Sequence, residues 1–169
     1  MDGTLAGLYL IASLFDMAMN DCPTGCLSQE GADSRLWAQA AIVQFNETNI
    51  GEEIYVGFDL GTSFGPFQPT LGASVTDDEA YWVGAGVKTQ WDFGNGVFVE
   101  GSIMPGLFDA DQGPDLGGNI QFRSSLGAGY EFANGGQLSI HYDHRSNADL
   151  EPVNPGLETI GIRYSIQFN

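Results

Sequence analysis

The sequence predicts an all-β chain: an eight-stranded antiparallel transmembrane β-barrel of the outer-membrane type. Three observations lead there. From about residue 52 onward, apolar and polar residues alternate with period two, the period of a strand whose successive side chains face opposite ways. The connections alternate between compact turns and longer acidic loops, the two rims of a membrane barrel. The polar face collects most of the chain's few cations, and the other face is aliphatic and aromatic.

Eight strands are expected at 35–46, 52–62, 69–77, 80–93, 97–108, 119–133, 137–147 and 157–168. In the second, Ile54, Val56, Phe58 and Leu60 alternate with Tyr55, Gly57, Asp59 and Gly61. In the last, Ile160, Ile162, Tyr164, Ile166 and Phe168 alternate with Thr159, Gly161, Arg163, Ser165 and Gln167. Residues 64–69, 94–96 and 134–136 are Gly, Asn and Pro-rich turns. Residues 76–79, 109–115 and 148–156 form the acidic loops. The segment 7–17 is apolar on both faces. It reads equally as a ninth strand, a helix or the true first strand, and in the last case 35–46 joins an elaborated first loop. An even strand count leaves one of the two segments outside the eight. The chain therefore divides into an N-terminal segment, 1–34, and a barrel, 35–169.

The polar face carries Asp59, Lys88, Glu100, Arg123, Glu131, Asp143, Arg145 and Arg163, with four of the five basic residues among them. In a soluble sandwich or ligand-binding barrel these would be a solvated outer face. In a small membrane barrel they line the interior and pair, while aromatics girdle the outside. The ending Tyr164-Ser-Ile-Gln-Phe168-Asn169 is similar to the aromatic-terminated last strand of bacterial outer-membrane proteins.

Charge excludes one class of partner. There are 22 Asp and Glu against 5 Lys and Arg, a net charge of −17, and binding nucleic acid requires cations to neutralise phosphate. The 43% apolar and 12% aromatic content argues against disorder. No apolar run reaches the ~18 residues of a membrane-spanning helix. Residues 5–18 look like a signal-peptide core but lack a basic region before it. The expectation is a mature chain whose export signal is already gone, with a cytoplasmic protein as the alternative. Cys22 and Cys26 flank Pro-Thr-Gly. A disulfide across that turn implies an oxidising compartment. A metal site is the weaker reading, because zinc normally takes four ligands.

The penultimate strand holds the candidate chemistry. Leu138, Ile140, Tyr142, His144 and Ser146 share one face, since i and i+2 project the same way. Glu158 shares its face with Ile160, Ile162 and Tyr164. A hairpin that puts 146 near 156 puts 144 near 158, both on the apolar, lipid-facing side. A base, a hydroxyl nucleophile and a carboxylate orienter are the parts of an acyl-transfer triad. Each alone is ordinary rim decoration, but an unpaired carboxylate near hydrocarbon is costly and needs a partner. His141 and Asp143 face inward, where an interior polar network is the simpler reading.

His144-Arg-Ser146-Asn147-Ala148, followed by Asn154-Pro155-Gly156-Leu-Glu158, resembles the signature of outer-membrane lipid A 3-O-deacylases of the PagL type. That signature has a His-x-Ser-Asn-Ala stretch with a Glu twelve residues past the serine, the spacing from Ser146 to Glu158 here. "DLGGNIQFRSSLGAGYEFANGG" is similar to the family's sixth strand and following turn, and "FGPFQP" to a periplasmic turn. The resemblance covers about 52–169 and is strongest in the last 50 or so residues; 1–34 has no counterpart. It implies a serine esterase that needs no cofactor or metal, with Ser146 as nucleophile, His144 as base and Glu158 as orienter. Asn147 and the backbone amide near Ala148 would be the oxyanion donors. The implied substrate is lipid A of lipopolysaccharide, and the place is the outer membrane with the site toward the outer leaflet. The alternative is a catalytically silent barrel of the same fold. The N-terminal segment, with its Cys pair, would then serve docking to a partner or a second copy.

Overall fold

The computed structural model describes residues 3–168. Helix α1 (Thr4–Asp16) continues into a π-helical turn, Met17–Asp21. Ten strands follow. Two are three-residue pieces, β1 (Gln29–Gly31) and β4 (Thr62–Phe64), which pair with each other outside the barrel. The other eight are β2 (Ser34–Phe45), β3 (Thr48–Asp59), β5 (Gln68–Thr76), β6 (Tyr81–Asp92), β7 (Val97–Asp109), β8 (Ile120–Glu131), β9 (Gln137–Ser146) and β10 (Leu157–Phe168). They pair antiparallel in that order, and β10 closes on β2. Strand lengths of 9 to 13 residues suit a tilted crossing of the hydrocarbon core, which takes about 9–11 residues.

The eight expected strands are present, with shifted ends. The largest shift is in β3, which begins at Thr48. The cause is a tight hairpin: Asn46 and Glu47 both have positive φ, 49° and 63°, the conformation that a two-residue turn demands. The question of the first strand is also answered. Residues 35–45 lie within β2, residue 46 opens the turn after it, and 7–17 lie in and just past a helix that stands outside the sheet.

The two faces separate as alternation requires. Ile54, Ile140, Ile160 and Ile162 are among the exposed apolar residues of the outer wall. Inside, all five basic residues are buried and paired. Arg123 donates to Glu53 at 2.7 Å and Asp143 at 2.8 Å, and Arg145 shares Glu53. Lys88 sits 2.8 Å from both Asp59 and Glu100. Arg163 reaches Glu100 at 3.1 Å. Arg35, not among the sequence-derived lumen residues, pairs with Glu131 at 2.8 Å near the short-turn rim. An unpaired charge here would cost several kcal/mol, so the mutual pairing is a condition of closure. The aromatics Trp37, Tyr55 and Trp82 pack edge to face in the same space. The Arg123 guanidinium lies 3.6 Å from the Tyr55 ring centre.

Strand direction sets the rims. β2, β5, β7 and β9 run from the rim of 64–68, 93–96 and 132–136 toward the rim of 76–81, 109–119 and 147–156. Ser146, Glu158 and the acidic loops therefore share the long-loop rim.

Candidate active site

β9 and β10 hold the site by register. Glu158 is the cross-strand partner of His144, as a hairpin placing 146 near 156 requires. On the other side of β9, His144 is opposite Ser124 and Ser146 is opposite Phe122. Facing pairs have Cβ atoms about 4.5–5.5 Å apart, close enough for side chains to bond across the ladder.

The His144 Nδ1 atom lies 3.1 Å from Glu158 Oε1. A proton on Nδ1 donated to that carboxylate leaves the Nε2 lone pair to accept one, which is the tautomer a general base needs. His144 is 3% exposed, while the Glu158 side chain keeps 20% of its surface accessible. Burial strengthens the pair, because the competing water and its dielectric are removed. Ser146 closes β9, on the same face as His144 and two residues on.

Two features beside the pair are invisible to strand parity. Gly156 has φ 76°, and a Cβ there would meet His144 Cε1 at 2.9 Å. A residue with a side chain is thus disfavoured twice, by the left-handed backbone and by the imidazole. Ser124 is buried on the outer wall, and its hydroxyl donates to the His144 carbonyl at 3.4 Å.

Asn147 is placed differently from the oxyanion role expected of it. Its side-chain Nδ2 donates to the carbonyls of Leu116 (3.1 Å), Gly117 (2.7 Å) and Val153 (2.7 Å). An amide NH2 has two hydrogens, so this group is saturated. Its backbone N–H donates to Asn154 Oδ1 at 3.0 Å. Asn147 is a clasp that ties the 110–119 and 147–156 loops together above the serine. The following residues, Ala148 and Asp149, have φ of 54° and 60°, and Ala148 is exposed.

The interior residues behave as a network. His141 is enclosed with Nε2 2.9 Å from Ser139 Oγ and 3.1 Å from Glu100, and Nδ1 3.1 Å from Ser125 Oγ. Asp143 accepts from Arg123, Gln39 and Thr159. Cys22 and Cys26 form a disulfide in the segment after α1, at the opposite rim. Among the described residues, no group of three or more His, Cys, Asp or Glu is placed to hold a metal ion.

From Ile160, two residues along β10 from Glu158 and on the same face, the outer wall carries an open groove of about 690 Å³. Ala40, Ile42, Ile54, Ile140, Ile160 and Ile162 line it, with Glu52 and Asp77 toward the long-loop rim. Alanine at position 40 supplies the depth between the isoleucines.

Comparison with known proteins bears on the barrel. The profile of a family described as "Lipid A 3-O-deacylase (PagL)" matches residues 63–167. A protein named "Lipid A deacylase PagL" from Bordetella bronchiseptica is 27% identical over 115 residues, 59% of this chain and 61% of that relative. One of the same name from Pseudomonas aeruginosa is 35% identical over 71 residues, 41% of each chain. The chain thus spans less than two thirds of the length of either relative. Among solved structures, the crystal structure of the outer membrane enzyme PagL superposes with a TM-score of 0.62 at 22% identity, covering 78% of this chain and 99% of that one. Neisserial surface protein A gives 0.60 at 11% identity, over 83% of this chain and 99% of that one. At these identities the likeness is one of fold.

Proposed function

The chain belongs to the lipid A 3-O-deacylase (PagL) family, and on that footing we propose that it is a serine esterase that removes the 3-O-linked acyl chain from lipid A. The observation that carries the proposal is the His144–Glu158 contact, 3.1 Å long, on the wall that an outer-membrane barrel turns to lipid. A histidine–carboxylate pair has little reason to face hydrocarbon unless its substrate arrives from there.

In this reading Ser146 Oγ attacks the ester carbonyl as His144 takes its proton. The tetrahedral intermediate collapses, and His144 returns the proton to the departing sugar alkoxide. Water, activated by the same imidazole, then hydrolyses the acyl-serine and frees the fatty acid. Glu158 holds the imidazole tautomer and balances the imidazolium charge. With the Asn147 side chain committed to its three carbonyls, the oxyanion falls to backbone N–H groups of the turn after Ser146, the Ala148 amide first among them. The groove that starts at Ile160 receives an acyl chain, and the sugar lies above it at the long-loop rim. That rim belongs to the outer leaflet, where lipopolysaccharide resides.

The test is mass spectrometry of lipid A after exposure to the folded barrel and to its Ser146→Ala variant. Wild type should remove one ester-linked chain and the variant none. Intact lipid A with folded wild type sinks the esterase and leaves a silent barrel. Chain loss with both proteins sinks the assignment of Ser146.

A further inference from the structure

Helix α1 stands against the outer wall of the barrel, the wall that faces lipid. Its seat is specific. Thr89 on β6 and Gly101 on β7 are cross-strand partners. Both are on the outward parity, in line with Val87 and Trp91 and with Val99 and Ile103 respectively. A hydroxyl and a missing side chain make a polar notch in an otherwise apolar belt. Tyr9 and Ser13, one helical turn apart, fill it. The Tyr9 hydroxyl lies 3.2 Å from Thr89 Oγ1 and 3.4 Å from the Val87 carbonyl, and Ser13 Oγ lies 3.2 Å from Thr89 Oγ1. A Cβ on Gly101 would come within 2.6 Å of Tyr9 Cδ2. The Tyr9 and Trp91 rings meet edge to face at 6.4 Å. Thr89, Tyr9 and Ser13 are all buried.

The opposite side of the helix has no protein cover. Leu8, Ile11 and Phe15 are 62%, 69% and 70% exposed. From Thr4 to Phe15 there is no charged residue; a helix apolar all round belongs in a core or in lipid. Thr89 lies three residues before Asp92, at the short-turn end of β6. The bare face is therefore continuous with the exposed Val97 and Tyr130 of the neighbouring wall. After the helix, the disulfide-closed turn and the β1–β4 pair return the chain to the same rim.

We propose that α1 is a lipid-embedded strap, with its Leu8–Ile11–Phe15 face in contact with phospholipid acyl chains of the leaflet at the short-turn rim. Lipid satisfies the bare face. The three clustered hydroxyls satisfy one another, the condition for polar groups at membrane depth. A protein partner would have to displace acyl chains already solvating that face.

The test uses nitroxide labels on the folded full chain, its native disulfide intact, in vesicles of phosphatidylethanolamine and phosphatidylglycerol. Labels at Ile11→Cys and Phe15→Cys should be several-fold more accessible to oxygen than to a water-soluble nickel chelate. The reverse order would overturn the proposal by placing the helix in water. Exclusion of both reagents, with spin coupling lost on dilution by unlabelled chain, would overturn it in favour of a second copy. The seat is probed through the Ile11 label, which leaves Tyr9 and Ser13 in place. Its spectral mobility should rise with Gly101→Leu, which fills the notch. An unchanged Ile11 spectrum in the folded double variant would show that the notch does not hold the helix.

Discussion

The chain has two histidines, three residues apart on one strand, and each has a carboxylate and a serine within reach of strand geometry. His141 points into the lumen, and hydroxyls or a carboxylate occupy both of its ring nitrogens. Its carboxylate, Glu100, is shared with Lys88 and Arg163. His144 points to the outer wall, and Glu158 grips it at Nδ1. The residue types are nearly the same; the solvent each face meets is different. A lumen triad would be screened by cations and closed to an amphiphile, while the proposed triad on the wall would be presented to one. Parity alone separates a structural histidine from a catalytic candidate.

The comparison can be broken most sharply at the proposed nucleophile. Ser146→Ala should lower kcat for deacylation by about 10⁶-fold, the loss typical when a triad serine is removed, whereas Ser139→Ala, beside His141, should leave the rate within a few fold. Parallel effects of the two would end the distinction. Glu158→Gln comes next. Loss of the proposed orienter should cost about 10⁴-fold in kcat with little change in melting temperature. Its lumen counterpart, Glu100→Gln, should do the opposite. It leaves Lys88 and Arg163 short of a partner, a loss of about 3–5 kcal/mol in stability, read by urea titration of the barrel, with rate preserved per folded molecule. The smallest effect is expected at Gly156→Ala. The left-handed backbone there adds about 1–2 kcal/mol of strain, and a methyl group would push on the His144 ring. A displacement near 1 Å costs about 10²-fold in rate. A wild-type rate would show that the contact does not position the imidazole.

Much of the barrel was legible because its determinants are local. Val83, Val87 and Trp91 alternate with Gly84, Lys88 and Asp92 within one strand, so the side facing lipid follows from period two. The Asn-Gly and Gly-Gly turns mark strand ends for equally local reasons. His144 and Ser146 share a face for the same reason. Asn147 has a residue type that suits an oxyanion donor, but its side-chain partners, the carbonyls of Leu116, Gly117 and Val153, come from two loops whose approach no alternation encodes. Gly156 stood in the sequence only as a member of the signature stretch before Glu158. Its packing against an imidazole depends on where the turn lands.

By itself, the sequence determined the strand periods, the inward set of charges, the outward set of aliphatics and the parity of His144, Ser146 and Glu158. It also determined the scarcity of cations and the inward parity of four of the five, Lys88, Arg123, Arg145 and Arg163. Tertiary structure decided the rest. It set the register that brings Glu158 to His144, the Asn147 clasp and the position of the first segment. The physical reason is clearest in α1. A stretch apolar on every side has no period to read, so its intrinsic pattern favours neither strand nor helix. What distinguishes the outcomes is a notch at Thr89 and Gly101, some eighty residues away in the chain, that exists only once the barrel has closed.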